Sequence, residues 1–326
     1  MLCIESSYHD PYFNLASEEY LLKSRGEEFF LLYRNNPSIV VGKHQNTLAE
    51  VNLSYVLEHG INVVRRISGG GTVFHDLGNL NFTFLTNGSE GQLVNYQKYT
   101  QPIIEAVRTM GIRATLGPRN ELLIGKQKIS GTASHVYKQR VLHHGTLLFS
   151  SDISHLSSAL KIQSNRFHDR AVRSVPSTVT NIRDHMDHPM EVSEFQQRIY
   201  HFILGKLEGA SGYRYTEEDL AEIRSLSQRK FSTWEWNFGY SPRYEYRRKL
   251  TGKAGNVYLQ MQVEKGTIRA VSFTGDFMST RPVNLLEELL VGAIHDPETL
   301  RMRISGIDVE DYITGLDNEL LLAGMF

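Results

Sequence analysis

Several features are scarce in this chain of 326 residues. Cysteine occurs once, at Cys3, which rules out an intramolecular disulfide and suits a reducing compartment, so a cytoplasmic location is expected. No apolar run approaches the ~20 residues that cross a bilayer, so no membrane role is expected. Excess charge is also missing. The formal net charge is −1, which argues against a nucleic-acid binder that relies on counterion release. There is no internal repeat and no low-complexity tract. Met1–Glu5 reads as a first strand rather than as a charged-then-apolar leader. Single cores stop growing near ~250–300 residues, so two domains are expected.

What is present is concentrated at Arg65-Arg66-Ile67-Ser68-Gly69-Gly70-Gly71-Thr72-Val73-Phe74-His75-Asp76-Leu77-Gly78-Asn79. Three consecutive glycines let a backbone turn tightly and approach a ligand with no Cβ in the way. Successive N–H groups in such a turn can form a concavity for an anion. The two arginines add planar donor forks suited to carboxylate or phosphate. The bland alternative is a hairpin turn with a solvated basic flank. A Walker A loop would need Lys followed by Ser or Thr after its last glycine, and Thr72-Val73-Phe74 follows instead. A Rossmann fingerprint would open a helix, whereas Thr72, Val73 and Phe74 favour a strand. The glycines therefore belong to a loop between strands at 61–66 and 81–85.

Further strands are expected at 29–33, 38–41, 121–124 and 145–150, and helices at 95–110 and 192–207. Asn14 is a candidate helix N-cap, with Glu18 and Glu19 in the first turn. Residues 217–245 read as a polar, aromatic connector anchored by Trp234 and Trp236. A meander at 244–251, 256–264 and 267–274, followed by helices at 283–293 and 297–303, makes a small α+β unit.

Taken in order, these patches resemble the lipoate–protein ligase A family. The Arg-Arg-x-Ser-Gly-Gly-Gly-x-Val-Phe-His-Asp-x-Gly-Asn run is similar to its signature. So are Asp10–Glu19, Val41–Asn46, Arg119–Leu122, Lys128–Ala133, His143–Leu148, Ser174–Asn181 and Trp234–Gly239. Matching patches run from about residue 8 to residue 239, and the tail is similar in pattern only. The resemblance implies an α+β protein. Its large domain, residues 1–243, would be biotin/lipoate ligase-like, with mixed β-sheets flanked by helices. Residues 244–326 would form a small accessory domain. It also implies a two-step reaction: lipoic acid and ATP, with Mg2+, form lipoyl-AMP, and a lysine of a lipoyl domain then takes the acyl group. The acceptors implied are acyltransferase subunits of 2-oxoacid dehydrogenases and the glycine-cleavage H protein.

The resemblance also assigns residues. Lys128 would touch both the reacting carbonyl and the adenylate phosphate; local sequence does not separate it from Lys126. Arg66, Ser68, Gly70, Gly71, Thr72, Val73, Phe74, His75, Asn120, His144 and Arg173 would contact nucleotide or acyl-adenylate. Phe74 is as well suited to a core as to a ligand, and a Val in place of Gly70 is expected to block substrate rather than unfold the chain. His75, Asp76 and Asn79 can be read as metal ligands, proton carriers or loop supports, and zinc is disfavoured because the His-Asp pair is adjacent. Asn120 is either a magnesium or phosphate contact or a turn cap. Of His143 and His144, strand alternation puts one toward the site and the other toward solvent. Residues 165–181 match a mobile lid, expected to be poorly ordered without ligand, with Arg170 and Arg173 available for phosphate.

Three rivals remain open. An acyltransferase working through a cysteine thioester would need Cys3 in the site. A lipoyltransferase could use preformed lipoyl-AMP without the activation step. A sensor could bind without turnover.

Overall fold

The computed structural model describes residues 1–88, 94–160, 165–252 and 255–326. The chain forms two compact units, each assembled from separated stretches. The first comprises Met1–Lys43, Tyr55–Ala159 and Ser174–Thr233, and the second His44–Ser54, Leu160–Arg173 and Trp234–Phe326. Both mix strands and helices, so the architecture is α+β as expected.

In the first unit the strands are β1 (Leu2–Glu5), β2 (Phe29–Tyr33), β3 (Ser38–Val41), β4 (Asn62–Arg65), β5 (Val73–His75), β6 (Asn79–Asn87), β7 (Ala114–Leu116), β8 (Leu122–Ile124), β9 (Gln127–Ser130), β10 (Thr132–Tyr137) and β11 (Arg140–Leu148). The second unit contributes β12 (Phe167–Asp169), and the first adds a short β13 (Ser211–Gly212). The main sheet runs β10-β11-β6-β2-β1-β13, antiparallel from β10 to β2 and parallel beyond. β2, the run Phe-Phe-Leu-Leu-Tyr, is buried along its whole length, as a strand covered on both faces must be. Two small sheets flank it, β4-β3-β5 and β7-β8-β9. The helix α1 (Pro11–Ser24) starts where Asp10 caps it: Oδ1 accepts from the Tyr12 N–H at 2.9 Å, and Pro11 supplies a pre-set φ.

Three expectations are corrected here. Asn14 is not the N-cap; it lies inside α1 and is fully buried. Glu18 and Glu19 lie beyond the first turn and are buried too. The strand expected at 145–150 begins at Arg140, so His143 and His144 stand within it. In each case the competing force is burial of a polar group with built-in partners, which no local propensity records.

The helices α2 (Tyr96–Arg108) and α3 (Val192–Lys206) close the first core with Tyr99, Ile103, Val107, Phe195, Ile199 and Ile203. Pairing of β12 with β14 (Tyr244–Gly252), then β15 (Gly255–Glu264) and β16 (Thr267–Gly275), makes an antiparallel sheet in the second unit. Its core adds Leu286, Leu290, Leu300 and Ile304 from helices at Val283–Leu290 and Pro297–Ile304. Among the described residues, no helix is long and apolar enough to cross a membrane.

Candidate functional site

The glycine-rich loop joins β4 to β5. Both arginines before it are buried, so the solvated-flank reading fails. Arg65 Nη1 donates to the carbonyls of Gly42 and Lys43 at 3.0 and 3.1 Å. Arg66 is wrapped by the loop itself. Its Nη2 donates to Gly69 O and Gly71 O at 2.6 and 2.7 Å, its Nη1 to Val40 O at 3.1 Å, and its Nε to Ser68 Oγ at 3.1 Å. Burial pulls its pKa down to about 10, with Glu18 and Tyr33 opposing, so the guanidinium stays charged at neutral pH. Three carbonyls are thereby turned inward onto one cation.

Gly70 has φ +90°, a region L side chains avoid. A valine there strains the backbone as well as occupying space, so the expectation of a purely steric block is too simple. Gly42 packs against the Gly70 carbonyl, which a Cβ on Gly42 would overlap. Thr72 is buried, and its N–H donates to Ser174 Oγ at 2.9 Å. On β5, Val73 is half-buried, while Phe74 is 4% exposed opposite Ile39.

Ser68 and His144 meet beneath this loop. Ser68 Oγ lies 2.6 Å from His144 Nε2, and His144 Nδ1 lies 3.0 Å from Glu18 Oε2. Glu18 also accepts from Tyr33 Oη at 3.0 Å and from Thr83 Oγ1. The chain Ser68–His144–Glu18 has the order of a nucleophile triad. However, Ser68 is fully buried and its oxygen already accepts from Arg66. The relay therefore holds the loop in place. His143 does not face solvent: it is fully buried, with Nδ1 2.7 Å from Ser134 Oγ and its ring beside Tyr96 and Tyr99. Alternation holds, but the opposite face of β11 is core.

β9 separates the two lysines. Lys126 is exposed and Lys128 half-buried. Burial lowers the Lys128 pKa; Glu121 opposes this, and Arg66 and Arg119 push it further down. Among the described residues no carboxylate forms an ion pair with its ammonium. A Cβ on Gly131 would lie 3.2 Å from Nζ. The Lys128 main chain is clamped, with N donating to Thr178 O at 2.9 Å and O accepting from Thr180 N at 3.1 Å. The 174–181 stretch is thus tied to β9.

Asn120 adopts a left-handed φ of +63°, and its carbonyl accepts from Thr132 Oγ1 at 2.7 Å. This places it at the turn before β8, as a cap would be. No group of three His, Cys, Asp or Glu side chains that could hold a metal exists among the described residues. The single donor expected for a metal, the Asn120 side-chain amide, would suit an ion that keeps most of its ligands as phosphate oxygens and water. Asp76 is a loop clasp: Oδ1 accepts from Gly78 N at 2.9 Å and Oδ2 from Asp152 N at 2.7 Å. Asn79 Nδ2 donates to Asn81 Oδ1 at 2.9 Å. His75 Nδ1 lies 3.0 Å from Asn35 Nδ2. Burial, then Arg66 and His144, push the His75 pKa down to about 3. Arg173 belongs to the second unit, where Nη2 pairs with Asp169 at 2.8 Å and donates to Phe167 O at 3.1 Å.

Arg66, Ser68, His144 and Glu18 therefore form one buried, hydrogen-bonded cluster behind the glycine loop, whose Gly69 and Gly71 carbonyls Arg66 holds; His75 is buried too but bonds to Asn35 instead. The residues sequence reasoning passed over are Glu18, Asn35 and Ser174. Glu18 lay inside a matching patch, but nothing local marks it as the partner of a histidine 126 positions away.

Residues 10–203 match the lipoyl protein ligase A/B catalytic domain, and residues 241–324 match the bacterial lipoate protein ligase C-terminus. The chain belongs to the lipoate–protein ligase family. It is 41% identical to lipoate–protein ligase 1 of Staphylococcus aureus over 315 residues, covering 96% of each chain. Among solved structures it resembles a bipartite lipoate protein ligase of Thermoplasma acidophilum, studied with its E2 lipoyl domain. That match has TM-score 0.62 and 26% identity, and covers 73% of this chain and 95% of that one. A lipoate–protein ligase A bound with ATP matches with TM-score 0.60 and 27% identity, covering 73% and 98%. The α+β fold and the ligase class anticipated from the motifs are thus correct. The chain is an enzyme of this family.

Proposed function

We propose that this enzyme activates lipoic acid with ATP and transfers the lipoyl group to a lysine of an acceptor lipoyl domain. In the first step a lipoate carboxylate oxygen bonds to the α-phosphorus of ATP and the bond to pyrophosphate breaks. In the second a neutral lysine amine bonds to the acyl carbon, the bond to AMP breaks, and the amine's proton leaves to solvent. Acceptors of the acyltransferase and H-protein kinds fit this chemistry. Residues 1–243 are proposed to carry catalysis and 244–326 to be accessory.

The observation that carries this reading is the Lys128 ammonium, half-buried on β9 without a counter-ion among the described residues. Negative charge builds first on the α-phosphate and then on the acyl carbonyl oxygen, and a fixed, partly desolvated cation stabilises both. Its lowered pKa has the same cause, missing solvation, which an arriving anion would restore. Gly70, Gly71, Thr72, Val73, Phe74 and His75 would line the acyl-adenylate; Arg66, Ser68 and His144 would hold the loop that presents them. The Asn120 side-chain oxygen would hold magnesium, which when bound shields phosphate charge. Arg173 is proposed as a separate phosphate contact.

Lipoate-dependent exchange of labelled pyrophosphate into ATP tests the activation step directly. We expect exchange by the native enzyme, and a loss on the order of 10²–10³ in Lys128→Ala with its folding transition unchanged. Normal exchange by the variant would overturn the Lys128 role. Transfer from preformed lipoyl-AMP with no exchange would make the enzyme a lipoyltransferase instead.

A further inference from the structure

We infer that Asn35 is a positioning residue. It fixes His75 as the Nε2–H tautomer, a neutral donor for an anionic oxygen of a bound substrate. The inference rests on the proposed reaction and assigns a group within it.

The argument is a chain of forced hydrogen bonds. Backbone carbonyls can only accept. Asn14 Nδ2 lies 2.8 Å from Tyr8 O and 3.3 Å from Arg34 O, which fixes the Asn14 amide with nitrogen on that side. The same nitrogen lies 2.8 Å from Asn35 Oδ1, and Ser6 Oγ donates to Asn14 Oδ1 at 3.2 Å. Asn35 oxygen therefore faces Asn14, and Asn35 nitrogen faces His75 Nδ1 at 3.0 Å. An amide nitrogen only donates, so Nδ1 must accept and the ring proton must sit on Nε2. Asn14 and Asn35 are fully buried and His75 is 4% exposed, so water does not scramble the order.

His75 Nε2 is itself buried, with no hydrogen-bond partner among the described residues. A buried donor left without an acceptor is destabilising, and such groups call for a reason. His143 Nε2 also lacks a partner among the described residues, but its ring lies among aromatic faces. His295 in the second unit shows the satisfied alternative, with Tyr244 Oη at 2.6 Å and Met325 O at 2.7 Å on its two nitrogens. His75 differs from both. It follows the glycine loop on β5, close enough to Arg66 for the guanidinium charge to act on it. A buried neutral donor beside the Arg66 guanidinium suits an anionic acceptor that enters with substrate. Lipoate carboxylate and nucleotide phosphate both offer one.

The test uses the full-length enzyme with ¹⁵N-labelled histidine, His75 being assigned from His75→Gln. Long-range ¹⁵N–¹H spectra are expected to show His75 neutral and protonated at Nε2. Asn35→Asp, equal in size but only an acceptor, should move the proton to Nδ1 or charge the ring, and lower kcat for pyrophosphate exchange roughly 10–100-fold. Lipoate and ATP are then added separately, with binding followed by calorimetry. The Nε2–H resonance should move in the arm whose oxygen it meets. The inference is overturned by an Nδ1–H tautomer in the native enzyme, or by an unmoved Nε2–H resonance while calorimetry records binding in both arms. It is equally overturned if Asn35→Asp lowers stability without changing the tautomer. Absence of binding in both arms would overturn it along with the proposed function, which the calorimetry shows separately.

Discussion

Arg66 Nη2 lies 2.7 Å from the carbonyl oxygen of Gly71. This one contact makes the guanidinium the centre around which the glycine loop curls. The cation expected from the sequence to meet an incoming anion is in the fold the cation that shapes the loop.

Lysine cannot reproduce that fork. Arg66→Lys keeps the charge but leaves the carbonyls of Val40, Gly69 and Gly71 with fewer donors, at a cost of about 1–3 kcal/mol for each left unpaired. We expect a lower thermal midpoint and a loss of pyrophosphate exchange. A variant with native stability and reduced exchange would show that Arg66 acts on the substrate alone.

Gly42→Ala should be as disruptive although it lies outside the loop. The new Cβ would overlap the Gly70 carbonyl, so one of the two backbones must move. Overpacking of this kind costs about 1–3 kcal/mol. Urea unfolding would register the loss, and Gly69→Ala, which has open space around its Cβ, provides the control for stability.

Acid should weaken the fold through its buried histidines. Burial pushes His295 down to about 4 from 6.5. Its neutral form is favoured in the folded state, so the stabilisation is complete above pH 6.5 and is lost as pH falls toward 4. The loss for this residue is on the order of 3 kcal/mol. His75 and His143, both near 3, extend the decline further down. Denaturant titrations at stepped pH should show this slope, and His295→Gln should flatten its part of it; an unchanged slope would count against the buried neutral form.

Arg170 is exposed in the 165–181 segment. Trypsin should cut there in the free enzyme and more slowly when lipoate and ATP are both present. Equal cleavage rates would reject a covering role for the segment.

Much of this was legible in the residues. The apolar runs at Phe29–Tyr33 and Ser38–Val41 are strands at the expected positions, and the Val192 helix starts where its spacing placed it. The glycine loop was located, and its feed into a strand at Val73 followed from β-forming side chains. The flanking charges were less legible. Arg65 and Arg66 looked like groups waiting for an anion, yet both are buried on main-chain carbonyls. Asn14 looked like a cap and is an internal amide relay.

The order of residues along the chain therefore determined the family, many of the elements and the place of the loop, because periodicity, glycine freedom and motif spacing are local properties; the helix Glu217–Leu226, inside the stretch read as a connector, was missed. Tertiary structure alone decided which polar groups serve the fold and which remain unspent. Glu18 reaches His144, and Asn35 reaches His75, across long sequence separations. A buried hydrogen bond is chosen by whichever donor and acceptor the packed sheets bring within 3 Å of each other, and that pairing leaves no trace in either neighbourhood.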